Sequence, residues 1–503
     1  MVTRYAQQGV AADLSLRVYT SRLLGQDPLL VLHGGGNTSV KTTATDLAGE
    51  EVEVLCVKGS GWDLGDIEPA GLPAVRLKPL LKLREREKLS DEDMVRYQRA
   101  NLLDPSAPNP SVETLLHAFL PQKYVDHTHS TAVLSIADQP DAEALCAEIY
   151  GKRLGIVPYI MPGFVLAKKA AEVYEADPAV EGLVLLKHGI FTFGADARES
   201  YERMIAAVTR AEERIAKGRK RAFAAAALPT QIAPVHAVAP ILRGACSLPD
   251  AKAAGAWRRL VLEFRASPAI LAYVNGSEVT RYAQQGVVTP DHTIRTKNIP
   301  LILPAPDAGD LDDFRTAARD AGRSFIAAYH AYFRRNNAGR DPQKRALDPL
   351  PRVALVPGLG LFGMGRSKKD ASVAADIAEN TVLTITDAEA IGKLKEIYTK
   401  RRQWRQLIDL LAKEAAVLPE ADQRVKQLAE EFNKTGDSAT LEKFYAALDD
   451  QDIAAVFCVF GQDFLGLFTC GSHDGFVVVY AENVEDDLSG ARIGRFNEGF
   501  RAA

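Results

Sequence analysis

The chain has 503 residues, 61 Lys and Arg against 65 Asp and Glu, a net charge of −4, and 47% hydrophobic residues. A balance this close to neutral offers no field to nucleic acid or to an anionic membrane surface, and the length calls for two to four domains, because one core rarely grows beyond about 250–300 residues. The first residues, MVTRYAQQGV, lack the basic and apolar regions of a signal peptide, no run of about 18 apolar residues follows, and five scattered cysteines form no CxxC pair, so the expected setting is cytoplasmic and any metal would be held by nitrogen and oxygen.

In chain order, PLLVLHG at 28–34 and VEVLCVK at 52–58 read as short buried strands, each opening into a glycine-rich loop, HGGGNTSVK and VKGSGW. Glycines such as Gly59 let backbone N–H groups converge on an anion. Asn37, Thr38, Ser39 and Ser60 add side-chain donors and Lys58 a charge, so these loops suit a phosphate, although neither follows the P-loop pattern. NPSVETLLH at 109–117 reads as a helix start near 111–120, with Ser111 placed to meet an anion and Glu113 in the first turn. An acid there also has a plain role, offsetting the helix dipole.

Strand-like stretches at 123–135 and 182–193 alternate with helical ones at 139–152 and 164–176, the pattern of an α/β layered domain. From Asp196 a helix with Tyr201, Met204, Ile205, Val208 and Ile215 on one face should cap it. DHTHS at 126–130 puts His127 and His129 two apart, on one face of a strand. His188 stands inside the apolar run LLKHGIFTFG, before a glycine that would let the backbone approach a ligand. A catalytic zinc wants three protein ligands and an open position, which makes these three histidines a candidate set; three structural histidines are the other reading.

The expected domains are 1–225, an Ala/Pro-rich linker at 226–250, a second domain at 251–395, and a helical then β-rich α+β tail at 396–503, with helices at 387–433 and 440–449 and a β-like segment at 454–481. Two echoes suggest a duplication: DHTH at 126–129 against DHTI at 291–294, and KHGIFTFG at 187–194 against GLGLFGMG at 358–365. In the later copies Ile294 and Leu359 replace two of the histidines, leaving His292 alone, so the second domain is expected to serve packing or oligomerisation without a metal. PGLGLFG at 357–363 fits GxGxxG by letter yet lacks the second strand ending in an acid, and reads as a decoy.

GNTS at 36–39, KGSG at 58–61, PSVE at 110–113, HTH at 127–129, PY at 158–159 and HG at 188–189 occur in the order of the class II aldolase/adducin family, which the chain resembles over about 15–225. Its longer forms HGGGNTSVK and KGSGWDLGDIEPAGLPAVRL look most like the aldolase part of bifunctional rhamnulose-1-phosphate aldolase/alcohol dehydrogenases, a resemblance running on to about 395; the dehydrogenase fingerprint is not found beyond that point. The resemblance implies zinc, or another divalent metal, on His127, His129 and His188, and Glu113 as acid/base. It puts Asn37, Ser39, Lys58, Gly59, Ser60 and Ser111 near a phosphate, and has Tyr159 presented across a subunit boundary of a homo-oligomer, a tetramer in such aldolases. The implied reaction is cleavage of a ketose 1-phosphate to dihydroxyacetone phosphate and an aldehyde such as lactaldehyde. A pentulose-phosphate 4-epimerase on the same fold and a non-catalytic adducin-like module are the alternatives.

Overall fold

The computed structural model describes residues 2–217, 223–250, 255–340 and 343–415, and in the tail 468–472, 475–479 and 494–495. Met1–Leu394 form one compact unit and Lys395–Ala503 another.

Two helices, α1 (Val2–Gln7) and α2 (Ala12–Gly25), lead to the segment expected to be the first strand. PLLVLHG is not one. Residues 28–36 run as turns and coil, because Leu30 and Val31 bond back to the Asp27 carbonyl and His33, Gly34 and Gly36 all take positive φ. Its apolar side chains still enter the core, which is why the run looked like a strand. Extended chain begins beyond the glycines, in β1 (Asn37–Thr45), followed by β2 (Glu51–Val57) and β3 (Ala74–Arg76). Then come α3 (Leu77–Lys82), α4 (Asp91–Ala100), α5 (Thr114–Phe119), β4 (Tyr124–Thr128), α6 (Thr131–Ala137) and α7 (Ala142–Tyr150). β5 (Leu154–Val157), α8 (Phe164–Ala176), the hairpin β6 (Gly182–Leu185) and β7 (Gly189–Gly194), and α9 (Ala197–Ala216) complete the domain.

The seven strands form one mixed sheet in the order β3-β2-β1-β4-β7-β6-β5, antiparallel except for the parallel pair β5 and β6. Alternation along the strands divides the core in two. Val54, Cys56, Tyr124, Val184 and Ile190 pack with side chains of α2, α6, α7 and α9 on one face. Leu55, Val57, Val125, Leu183, Leu185, Phe191 and Phe193 pack with α3, α5 and α8 on the other. The result is the expected α/β/α layering. Helix α9 buries Met204 and Val208 from its apolar stripe, as its spacing requires.

Residues 226–250 are not a linker. They hold α10 (Val235–Ala245), whose Val238 and Leu242 are fully buried in the second core despite Pro240 in the helix. Proline and alanine suggested a flexible segment, but the tertiary packing of one apolar face decided otherwise. The two-residue strands β8 (Leu248–Pro249) and β9 (Trp257–Arg258) precede β10 (Val261–Arg265), α11 (Pro268–Val274), α12 (Val279–Tyr282), α13 (His292–Thr296), β11 (Leu301–Ile302) and α14 (Leu311–Asn337). A second hairpin, β12 (Val353–Val356) and β13 (Gly360–Gly365), feeds α15 (Lys368–Ala415). The sheet order is β10-β13-β12-β11, with β11 and β12 parallel and the other pairs antiparallel.

This sheet repeats β4-β7-β6-β5 of the first in order and direction. The hairpin echo is structural: both hairpins and the helices after them begin 171 positions apart. The DHTI echo is not. His292 opens helix α13, while the strand matching β4 is β10, so the pairing sets Phe264 and Ala266 where His127 and His129 stand. PGLGLFG is the turn of the second hairpin, with no strand-to-helix step.

In the tail, β14 (Phe468–Ser472), β15 (Gly475–Val479) and β16 (Gly494–Arg495) form an antiparallel sheet. The expected helix at 440–449, and 387–433 beyond Ala415, lie outside the described residues. Among the described residues no helix is long and apolar enough to cross a membrane.

A three-histidine candidate metal site

β4 enters the sheet centre between β1 and β7, and its alternation points His127 to the α5 side, where the ring stacks on Phe191 with centroids 4.1 Å apart. His129, two residues on, follows to the same side, and the two Nε2 atoms lie 3.0 Å apart. His188 is not inside a strand. It occupies the tight turn between β6 and β7, beside Lys187 with φ 58°, and the turn swings its ring to within 5.1 Å of His127 and 5.4 Å of His129. Gly189 makes this convergence possible, since a Cβ there would fall 2.9 Å from His129 Cδ2 and 3.0 Å from His127 Cε1.

Glu113 completes the cluster as the N-cap residue of α5, one position before the helix rather than inside its first turn. Its Oε1 lies 3.2 Å from His188 Nε2 and its Oε2 3.4 Å from His127 Nε2. Asn37, at the start of β1, donates from Nδ2 to Glu113 Oε2 at 2.7 Å and lies 3.2 Å from Ser111 Oγ. Its Oδ1 meets His117 Nε2, and His117 Nδ1 lies 2.8 Å from Ser39 Oγ. Ser39 and His117 are fully buried and brace Asn37 from beneath.

The donor set fits a cation. His127 Nδ1–H donates to the Ile190 carbonyl at 3.0 Å, which leaves Nε2 as a bare lone pair facing His129 Nε2. The 3.0 Å gap is close to the roughly 3.3 Å that two nitrogens span on one tetrahedral zinc. Glu113 Oε1 is buried without a hydrogen bond, 3.2 Å from His188 Nε2, an arrangement costly unless a cation or a proton satisfies it. One ligand atom from each histidine lies within 4.8 Å of the others.

Burial holds His127 and His117 well below the ordinary imidazole value and lowers His188 to about 3, against the opposing pull of Glu113. These rings stay neutral, the form that ligates. Burial also presses His129 down, but the Asp291 carboxylate outweighs it and the net direction is up. Lys58 is lowered by burial, opposed by Asp63, Asp291 and Glu113, and its Nζ donates to the Gly34 carbonyl at 2.9 Å.

The loops meet the site unequally. Lys58 and Gly59 bring β2 against the 108–111 segment: Gly59 bridges Pro110, and a Cβ there would strike Pro108 at 2.8 Å. Ser60 is exposed, its N–H on the Asn109 carbonyl. Tyr159 is 47% exposed in the loop between β5 and α8, and among the described residues no hydrogen bond joins it to the histidines.

The sequence reading missed the residues that the second domain brings here. Asp291 Oδ1 lies 3.3 Å from His129 Nδ1, and Thr289 Oγ1 lies 3.1 Å from the His188 carbonyl and 2.9 Å from Asp291 Oδ1. His33 pairs with Asp376 of α15 at 2.8 Å. The DHTI motif was visible, but its likeness to DHTH pointed to a failed copy, and nothing local placed it against the first copy. The second domain is therefore more than a packing half.

Residues 16–215 match the family model for the class II aldolase and adducin N-terminal domain, and residues 233–402 match that for the second domain of class II aldolases. The chain is 32% identical over 389 residues to an uncharacterized oxidoreductase, YuxG, of Bacillus subtilis, covering 76% of this chain and 55% of the relative. It thus spans about half the length of that relative. Among solved structures, an N-terminal class II aldolase domain of a conserved Thermoplasma acidophilum protein is 47% identical, covering 40% of this chain and 92% of that one with a TM-score of 0.38. An L-fuculose-1-phosphate aldolase from Thermus thermophilus is 18% identical, covering 39% and 92%, with a TM-score of 0.26. Through residues 16–215 and 233–402 the chain belongs to the class II aldolase/adducin family.

Proposed function

We propose that this protein is a zinc-dependent aldolase that cleaves a ketose 1-phosphate of the rhamnulose 1-phosphate kind to dihydroxyacetone phosphate and an aldehyde such as lactaldehyde. The observation that carries the reading is the convergence of His127, His129 and His188 on Glu113 in one buried spot. Zinc held by the three imidazoles would supply Lewis acidity to the substrate's carbonyl and hydroxyl oxygens.

The chain's own groups do the rest. Asn37 fixes Glu113 through Oε2, leaving Oε1, which accepts no hydrogen bond and lies 3.2 Å from His188 Nε2, to take up and return a proton at the substrate carbon that bears charge after cleavage. Lys58, Gly59, Ser60 and Ser111 meet where the second glycine loop packs on the turn before α5, and there they would receive the phosphate. Tyr159 is free in this chain to serve a neighbouring copy, and Met161 and Val165 beside it are also exposed, which supports a homo-oligomer, with a tetramer expected.

The test is deuterium exchange at C3 of dihydroxyacetone phosphate, followed by NMR with zinc-loaded protein, with and without chelator, and with Glu113→Gln. Chelator-sensitive exchange lost in the variant is the expected result. Stoichiometric zinc without exchange would overturn the aldolase reading in favour of the epimerase or another donor; absence of both would favour the adducin-like module.

A further inference from the structure

We propose that the second domain completes the metal site: Asp291, on the segment between α12 and α13, is a positioning residue that holds the ring of His129 for metal binding. The proposal rests on the reading of the three histidines as a metal set.

The argument starts from the imidazole. A ring that offers Nε2 to a cation must carry its proton on Nδ1, and in a buried site that proton needs an acceptor. His127 has one within its own sheet, the Ile190 carbonyl at 3.0 Å. His129 stands just past the end of β4, and among the described residues its Nδ1 meets no backbone carbonyl; it faces Asp291 Oδ1 at 3.3 Å. Thr289 reinforces the arrangement, its Oγ1 lying 2.9 Å from the same carboxylate oxygen and 3.4 Å from His129 Nδ1. The same hydroxyl reaches the His188 carbonyl at 3.1 Å, so one short segment touches two of the three proposed ligands.

The first domain is shaped to admit this segment. A Cβ at Gly35 would lie 3.2 Å from His129 Nδ1 and 3.4 Å from Asp291 Oδ2, so the glycine loop leaves room for the carboxylate to reach the ring. The other end of that loop is held from the same domain. His33, in the left-handed region at φ 40°, bonds Asp376 at 2.8 Å, and Arg265 bonds the other oxygen of Asp376 at 3.0 Å. The second domain, which carries Phe264, Ala266 and Leu359 at the positions matching the three histidines, thus braces the histidines of the first through its α12–α13 segment.

Metal affinity tests this without any knowledge of the substrate. The full chain is stripped with chelator and titrated with Co²⁺ and Zn²⁺ against a chromophoric competitor, comparing wild type with His129→Ala, Asp291→Asn, Asp291→Glu, Thr289→Val and Arg281→Gln. Loss of a residue that orients a ligand lowers metal affinity by about 10–100-fold. Asp291→Asn should do so and alter the visible Co²⁺ spectrum, Asp291→Glu should recover part of the loss, and Thr289→Val should weaken binding less. Arg281→Gln, in the neighbouring helix α12, removes ion pairs with Glu278 and Glu389 that do not touch the histidines, and should bind as wild type does. Wild-type affinity in Asp291→Asn, with binding lost in His129→Ala, overturns the proposal alone. Wild-type affinity in His129→Ala overturns the reading of the triad beneath it.

Discussion

The two hairpins share a backbone and differ in what they present. In the first, β4 lays His127 on Phe191 with ring centroids 4.1 Å apart. In the second, β10 lays Phe264 on Phe362 at 5.0 Å, at the matching register, and Ala266 and Leu359 replace the other two histidines. One step back along the strand, Asp126 forms a fully buried pair with Arg17 at 2.5 Å, whereas its counterpart Glu263 pairs with Arg265 and Lys368 nearer the surface. The same frame therefore supports either a polar site or an apolar core. The choice between them is made by a handful of side chains.

Exchanging those side chains breaks the comparison most sharply. His188→Leu copies the second hairpin into the first and should abolish both bound zinc and deuterium exchange, read by metal analysis and NMR. Leu359→His should create no site, since Phe264 and Ala266 still face it. Glu113→Gln should retain the metal and slow exchange by about 10²–10⁴-fold, the usual share of a general acid/base.

The buried pair separates the two domains in stability. Arg17→Met leaves Asp126 without its cation and should cost about 3–5 kcal/mol in denaturant unfolding, while Glu263→Gln should cost no more than about 1 kcal/mol. pH separates them as well. Burial holds His188 at about 3, below its unfolded value of about 6.5, so the unfolded chain binds the extra proton between the two. Metal-free protein should lose stability as pH falls through that window, and His188→Leu should flatten that part of the profile.

The smallest expected effect lies in the turns. Lys187 takes φ 58° where the second hairpin has Gly358 at 83°. Lys187→Gly relieves the left-handed residue but loosens the unfolded chain, so the melting temperature should rise by no more than about 1 kcal/mol of stabilisation implies.

Much of the site was legible before the fold. HTH carries its own geometry, because residues two apart on a strand share a face, and HG marks a close backbone approach. Glu113 followed from the resemblance, although its place as N-cap did not. PLLVLHG misled because burial, not strand pairing, was the cause of its apolar run. The 226–250 segment misled because alanine and proline carry little signal about packing. Asp291 could not be found at all: it lies 162 positions from His129, and a carboxylate beside a histidine in space leaves no local pattern.

The sequence by itself determined the metal-ligand candidates, the α/β layering and the repeated hairpin, since periodicity, glycine placement and motif order are local properties of the chain. Tertiary structure alone decided where extended chain begins beside His33, that α10 belongs to a core, which strand is the true counterpart of β4, and that the second domain reaches into the first domain's site. Each of those depends on which surfaces meet, and contacts between residues far apart in sequence are set by the packing of whole sheets and helices.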